Sequence, residues 1–118
     1  MKKKRLLLVD DDDSIQLLYR EEFEEEGYIV ESARNGIEAI EKFRASPPDL
    51  VILDINMPEM NGIEAFRQMK EMRADLPIIL CSAYLEYKQD FSTWASEAYV
   101  VKSANMDELK AKIRQYLS

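Results

Sequence analysis

Four short apolar runs punctuate the chain: Leu6 to Val9, Leu50 to Leu53, Ile78 to Cys81 and Tyr99 to Val101. None alternates in and out as a half-exposed strand does, so each is expected to be covered on both faces, like a parallel strand. A further segment, YIVESA at 28–33, mixes apolar with polar residues as an edge strand would. Between these lie stretches of helical spacing. Ile15, Leu18, Tyr19 and Phe23 share one face of a first helix, with Asp13 and Gln16 as its capping pair and Gly27 closing it. Ile37, Ile40 and Phe43 mark a second helix, which Pro47 and Pro48 end. Ile63, Phe66 and Met69 mark a third, up to about Arg73, and a weaker, aromatic-rich pattern at 86–95 suggests a fourth. Met106, Leu109, Ile113 and Tyr116 give a fifth, with Asn105 and Glu108 as its capping pair. Strand and helix thus alternate five times, which predicts an α/β fold: a five-stranded parallel sheet with five helices on both its faces.

At 118 residues the chain suits one domain, 1–118, with a single core. No repeat, low-complexity stretch or linker breaks it, and no output domain is expected after the fifth helix. The formal net charge of -7 argues against direct nucleic-acid binding, because affinity for phosphate backbones comes from Lys and Arg. The N-terminal MKKKRLLLV has too short an apolar run for a signal peptide, and nothing approaches membrane-spanning length, so no membrane insertion is expected. Cys81 sits alone in an apolar run and the chain contains no His to activate it. The thiol therefore reads as core packing, and the protein as cytoplasmic. In EEFEEE, 21–26, Glu21 with Glu25 and Glu22 with Glu26 are like charges at helical spacing, which marks a solvated face or a surface for a basic partner.

The stretch LVILDINMPEMNG, 50–62, runs four apolar residues into Asp54 and then into an irregular loop. Open α/β sheets bind ligands outside the carboxyl ends of their strands, near the point where strand order reverses. Asp10 and Asp11 follow the first apolar strand and Asp54 ends the third, so the three carboxylates converge if these strands are neighbours. Converging carboxylates repel, and a hard divalent cation with oxygen ligands relieves the repulsion. Mg²⁺ suits such a site because it takes one or two carboxylates and recruits phosphate oxygens. Ser82 and Lys102 follow two more strands and offer a hydroxyl and an ammonium to the oxygens of a phosphoryl group. Asp54 would be the nucleophile that forms an aspartyl phosphate. Asp12 and Asp13, by contrast, read as helix caps or dipole partners.

LLLVDDD, PDLVILDINMPEMNG, PIILCSA and AYVVK resemble, in order and spacing, the motifs of bacterial response-regulator receiver domains of the CheY-like superfamily. The resemblance covers essentially the whole chain. It implies the flavodoxin-like sheet order 2-1-3-4-5 and a place in a two-component or phosphorelay system. Asp54 would accept a phosphoryl group from a histidine kinase or a histidine phosphotransfer protein, with self-catalysed transfer and autodephosphorylation as the only enzymatic activity. Asp10, Asp11, Asp54 and the backbone carbonyl of Asn56 would hold Mg²⁺, and Ser82 and Lys102 would contact the phosphoryl group. Tyr99, with Ser82, would act as the switch that reports phosphorylation to a downstream protein target. The responsive face would be formed by the fourth helix, fifth strand and fifth helix.

Two features depart from the family pattern. Ser103 follows Lys102 where the family usually has proline after a cis peptide, and a cis bond is far costlier before any other residue. The second is the stretch YLEYKQDFSTWASEA, which lacks the glycine that often precedes the last strand in the family and places bulky Tyr84 two residues after Ser82. In the family that position flanks the path of hydrolytic water, so Tyr84 is expected to lengthen the life of the acyl phosphate. Two other functions compete. A phosphorylation-independent binding module of receiver-like fold is compatible with Ser103, although the complete acidic trio argues against it. A small Mg²⁺-dependent phosphohydrolase of the haloacid-dehalogenase kind would need a second Asp where Asn56 stands. Nucleotide binding by a glycine-rich loop is excluded, since Gly27, Gly36 and Gly62 form no phosphate-loop pattern.

Overall fold

Residues whose neighbours on both sides are apolar can be buried only if both faces of their strand are covered, and the sheet is arranged to do this. The computed structural model describes residues 3–54, 62–82, 98–101 and 106–117. Five strands, β1 (Arg5–Val9), β2 (Ile29–Ala33), β3 (Leu50–Asp54), β4 (Ile78–Ser82) and β5 (Ala98–Val101), form one sheet in the order β2-β1-β3-β4-β5. Every neighbouring pair is parallel. Four helices are described, α1 (Asp13–Glu25), α2 (Gly36–Ala45), α3 (Gly62–Met72) and α4 (Asp107–Leu117). Five helices are expected from the sequence; the segment at 86–95 lies outside the described residues, as does Asn105 of the last capping pair.

The two-residue period of a strand sends alternate side chains to two separate cores. Leu7, Val9, Val51, Leu53, Ile78 and Leu80 meet Ile40 and Phe43 of α2 and Phe66 and Met69 of α3. Leu6, Leu8, Leu50, Ile52, Ile79 and Val100 meet Tyr19 and Phe23 of α1 and Leu109 and Ile113 of α4. Cys81 belongs to this second core, 2% exposed, in keeping with a packing role.

The helical spacing of the sequence overestimates two of these faces. Leu18 is 41% exposed and Ile37 46%, although each shares the helical spacing of buried neighbours. Tyr19 and Phe23 carry the α1 contact, stacked edge to face with centroids 5.8 Å apart. At the start of α1 the expected pair of Asp13 with Gln16 does not form, while the reading of Asp12 as a cap holds. Asp12, not Asp13, is the N-cap, its Oδ1 accepting from Ser14 N at 2.8 Å and Ile15 N at 3.2 Å. Gly27 follows the helix with φ +96°, a left-handed conformation that side chains rarely adopt, so its role at the turn into β2 holds.

The acidic run on α1 is not simply solvated. Glu22 accepts from Lys110 at 2.5 Å and Glu26 from Arg114 at 2.6 Å, joining α1 to α4 across 88 residues of chain. The four-residue step that puts two Glu on one face of α1 matches the step between Lys110 and Arg114. Lys110 has a raised pKa, chiefly because its ammonium donates to Glu22. Tyr28, beside the same ion pairs, is also raised, first by burial and then by the charge of Glu26.

Two predictions follow from this packing. Phe23→Ala is expected to lower the unfolding free energy by about 3–5 kcal/mol, against less than about 1 kcal/mol for Leu18→Ala, measured by urea denaturation. Both raised pKa values mean that the folded state binds its protons more tightly than the unfolded chain. The stabilisation is therefore full below about pH 10 and is lost as pH rises through the folded-state values. Urea midpoints are expected to fall above pH 10, and Glu22→Gln to make that fall shallower.

Candidate functional site

The strand order places the candidate residues. The connection through α1 carries the chain from β1 out to β2, whereas β3 returns to the other side of β1, so strand order reverses between β1 and β3. A crevice opens at such a reversal, outside the carboxyl ends of the strands. Val9, the last residue of β1, is in register with Leu53, so Asp10, just past the end of β1, and Asp54, the last residue of β3, follow at the same edge. The carboxylates of Asp10, Asp11 and Asp54 offer one oxygen each, all within 4.8 Å of one another. Asp10 and Asp54 are 2% and 3% exposed, and Asp11 is exposed to solvent.

At that separation two ionised carboxylates repel by roughly 3 kcal/mol at an effective dielectric near 20. The trio is held there by main-chain structure. Asp54 is locked as the last residue of β3, paired in register with Cys81 of β4. Asp10 N donates to Ala33 O at 3.0 Å, and Asp10 Oδ1 accepts from Asp12 N at 2.9 Å. Three oxygens within 4.8 Å of one another, two from buried carboxylates and one from a carboxylate open to water, are the kind of donors a hard divalent cation takes. The residues present thus fit Mg²⁺.

Ser82 is the last residue of β4, one position beyond the Cys81 that faces Asp54, and it is paired with Val101 of β5. Its backbone therefore lies on the same sheet edge as the trio. Tyr99 is paired with Leu80 within β5. Asn56, Tyr84, Lys102 and Ser103 lie outside the described residues.

Gln16 has a role that its position in a capping pair did not suggest. Its side chain does not return to the start of its own helix. Instead Nε2 donates to Asp10 O at 2.8 Å, Ala33 O at 2.9 Å and Leu8 O at 3.3 Å. A clue existed in the sequence: carbonyls at the end of a parallel ladder need donors, and Gln16 carries a long amide one turn into the following helix.

The chain matches the family model of the response regulator receiver domain over residues 6–114. Among curated proteins, sporulation initiation phosphotransferase F of Bacillus subtilis is 33% identical over 105 residues, covering 87% of this chain and 85% of that protein. Chemotaxis protein CheY of the same organism is 36% identical over 92 residues, covering 76% and 77%. Among solved structures, response regulator protein TrrA of Thermotoga maritima in complex with Mg²⁺-BeF superposes with a TM-score of 0.92 at 48% identity, covering 97% of this chain and 99% of that one. A structure of histidine kinase ThkA in complex with TrrA gives a TM-score of 0.90 at 49% identity, covering 98% and 99%. Motif order, sheet order, acidic trio and these likenesses agree: the chain belongs to the response regulator receiver domain family.

Proposed function

We propose that this protein is a Mg²⁺-dependent phosphoacceptor whose Asp54 is phosphorylated by a histidine kinase or a histidine phosphotransfer protein. The observation that carries the reading is the meeting of Asp10, Asp11 and Asp54 within 4.8 Å at the switch point of the sheet. It is supported by the Mg²⁺-BeF complex and the kinase complex of TrrA. A carboxylate buried at a strand end is oriented by the ladder and shielded from bulk water, which suits a nucleophile.

In the transfer, an Asp54 oxygen attacks the phosphorus of a phosphohistidine, a new P–O bond forms and the P–N bond breaks. The electron pair of that bond returns to the imidazole, which takes a proton from solvent. Asp10, Asp11 and Asp54, with the carbonyl of Asn56, would hold Mg²⁺, which supplies positive charge against the incoming phosphoryl oxygens. Ser82 donates its hydroxyl and Lys102 its ammonium to those oxygens. Phosphorylation then shifts Ser82 and Tyr99, and with them the face of the domain to which β5 and α4 belong. That surface controls a downstream protein, or the phosphoryl group passes on to a second histidine. Self-catalysed transfer and hydrolysis are the whole of its enzymatic activity, and it works in the cytoplasm. No described helix is long and apolar enough to cross a membrane.

Incubation with acetyl phosphate and Mg²⁺ is expected to add one phosphoryl group, detected by intact-mass spectrometry and absent from Asp54→Asn or without metal. No adduct from any donor, including purified kinases, would favour a phosphorylation-independent binding module. Mg²⁺ at 100 times its Kd is expected to stabilise the fold by about 2.7 kcal/mol. Asp10→Asn should raise that Kd at least about tenfold, because it removes a ligand where even outer-shell changes cost that much. Calorimetric titration and thermal melts with and without Mg²⁺ check both.

A further inference from the structure

Outside the acidic trio, one side chain joins more of the site's framework than its place in the sequence explains. Gln16 lies one turn into α1, on a helix already capped by Asp12. Its amide nitrogen reaches back over the carboxyl ends of β1 and β2 to meet three carbonyls: Leu8 O, Asp10 O and Ala33 O. Asp10 O comes just after the last residue of β1. Ala33 O accepts from Asp10 N as well as from Gln16. The main chain of Asp10 is therefore held on both sides of its Cα, through its N–H and through its carbonyl. Its side chain is held by Asp12 N.

The orientation of the amide shows which of its ends matters. Gln16 Oε1 is buried and has no hydrogen-bond partner among the described residues. Turning the amide over would set that oxygen against three carbonyl oxygens, all acceptors, and would lose every bond Nε2 makes. The donor end is thus required at this point and the acceptor end is left unpaired.

We infer that Gln16 is a positioning residue for Mg²⁺ binding: its amide clamps the ends of β1 and β2 so that the Asp10 and Asp11 carboxylates stay aimed at Asp54 against their mutual repulsion. The inference rests on the reading of the trio as a Mg²⁺ site. Gln16 touches neither metal nor phosphoryl group; it acts through the main chain of Asp10. Loss of a clamp of this kind keeps every ligand residue but lets their carboxylates spread, so metal affinity falls more than the fold weakens.

The test is calorimetric titration of the purified chain with MgCl₂, comparing wild type with Gln16→Met, Gln16→Glu and Val30→Ala. Met keeps the volume and removes the donors. Glu puts an acceptor against three carbonyls, but its negative charge by itself would attract a cation. Val30, 4% exposed in β2, provides a core substitution that weakens the fold without touching the clamp. Gln16→Met is expected to raise the Mg²⁺ Kd roughly tenfold. Gln16→Glu is expected to raise it as well, in spite of its charge, and Val30→Ala to leave it unchanged. Amide hydrogen exchange at Asp10 and Asp12 should quicken in both Gln16 variants and not in Val30→Ala. If wild type binds Mg²⁺ and Gln16→Met binds within twofold of it, or if Gln16→Glu binds more tightly, the inference is overturned and the metal site stands. A wild-type chain that binds no Mg²⁺ overturns the metal reading, and this inference with it.

Discussion

Like charges held together are the constraint on which the rest of this structure depends. Three carboxylates within 4.8 Å of one another would separate in a flexible chain, and here they do not, because β1 and β3 are paired in parallel with Val9 opposite Leu53. That register sets Asp10 beside Asp54 and cannot slip by one residue without sending every core side chain of a strand to the opposite face. Both cores therefore guard the geometry of the site. A strand buried on one face alone would hold its end less firmly.

The elements around the trio divide the work of holding it. β4 locks Asp54 from one side by pairing Cys81 with it, while β2 locks Asp10 from the other through Ala33 O. Helix α1 contributes at both ends. Its start is capped by the exposed Asp12, and its first turn sends the amide of Gln16 over the strand ends. Its last turns reach α4 through Glu22 to Lys110 and Glu26 to Arg114. One rigid helix thus links the framework of the acidic trio with the last helix of the chain, and partly exposed ion pairs such as these contribute more to relative placement than to stability.

Much of this was legible in the sequence for a simple reason. Apolar runs without alternation can be satisfied only by a strand covered on both faces, so LLLV, LVIL and IILC announce parallel central strands, and an Asp after such a run lies at the carboxyl edge. Local spacing was a weaker guide to depth. Leu18 and Ile37 share the period of core residues yet remain 41% and 46% exposed, because a helix's own period does not encode how it is rotated against the sheet. A capping pattern was likewise ambiguous among four successive aspartates, and only the backbone turn decided that Asp12 accepts the helix amides.

By itself, then, the sequence determined the alternation of strand and helix, the burial of Cys81, and the chemical identity of the groups at the strand ends. Periodicity and residue type are local properties, and local properties survive in a one-dimensional reading. The tertiary structure decided which groups meet. The approach of Asp10 and Asp11 to Asp54 depends on β3 pairing with β1 across more than forty residues of chain. The grip of Gln16 on Ala33 and the joining of Glu22 to Lys110 depend on where separate elements come to rest. Such contacts join positions far apart in the chain, and no local period encodes them.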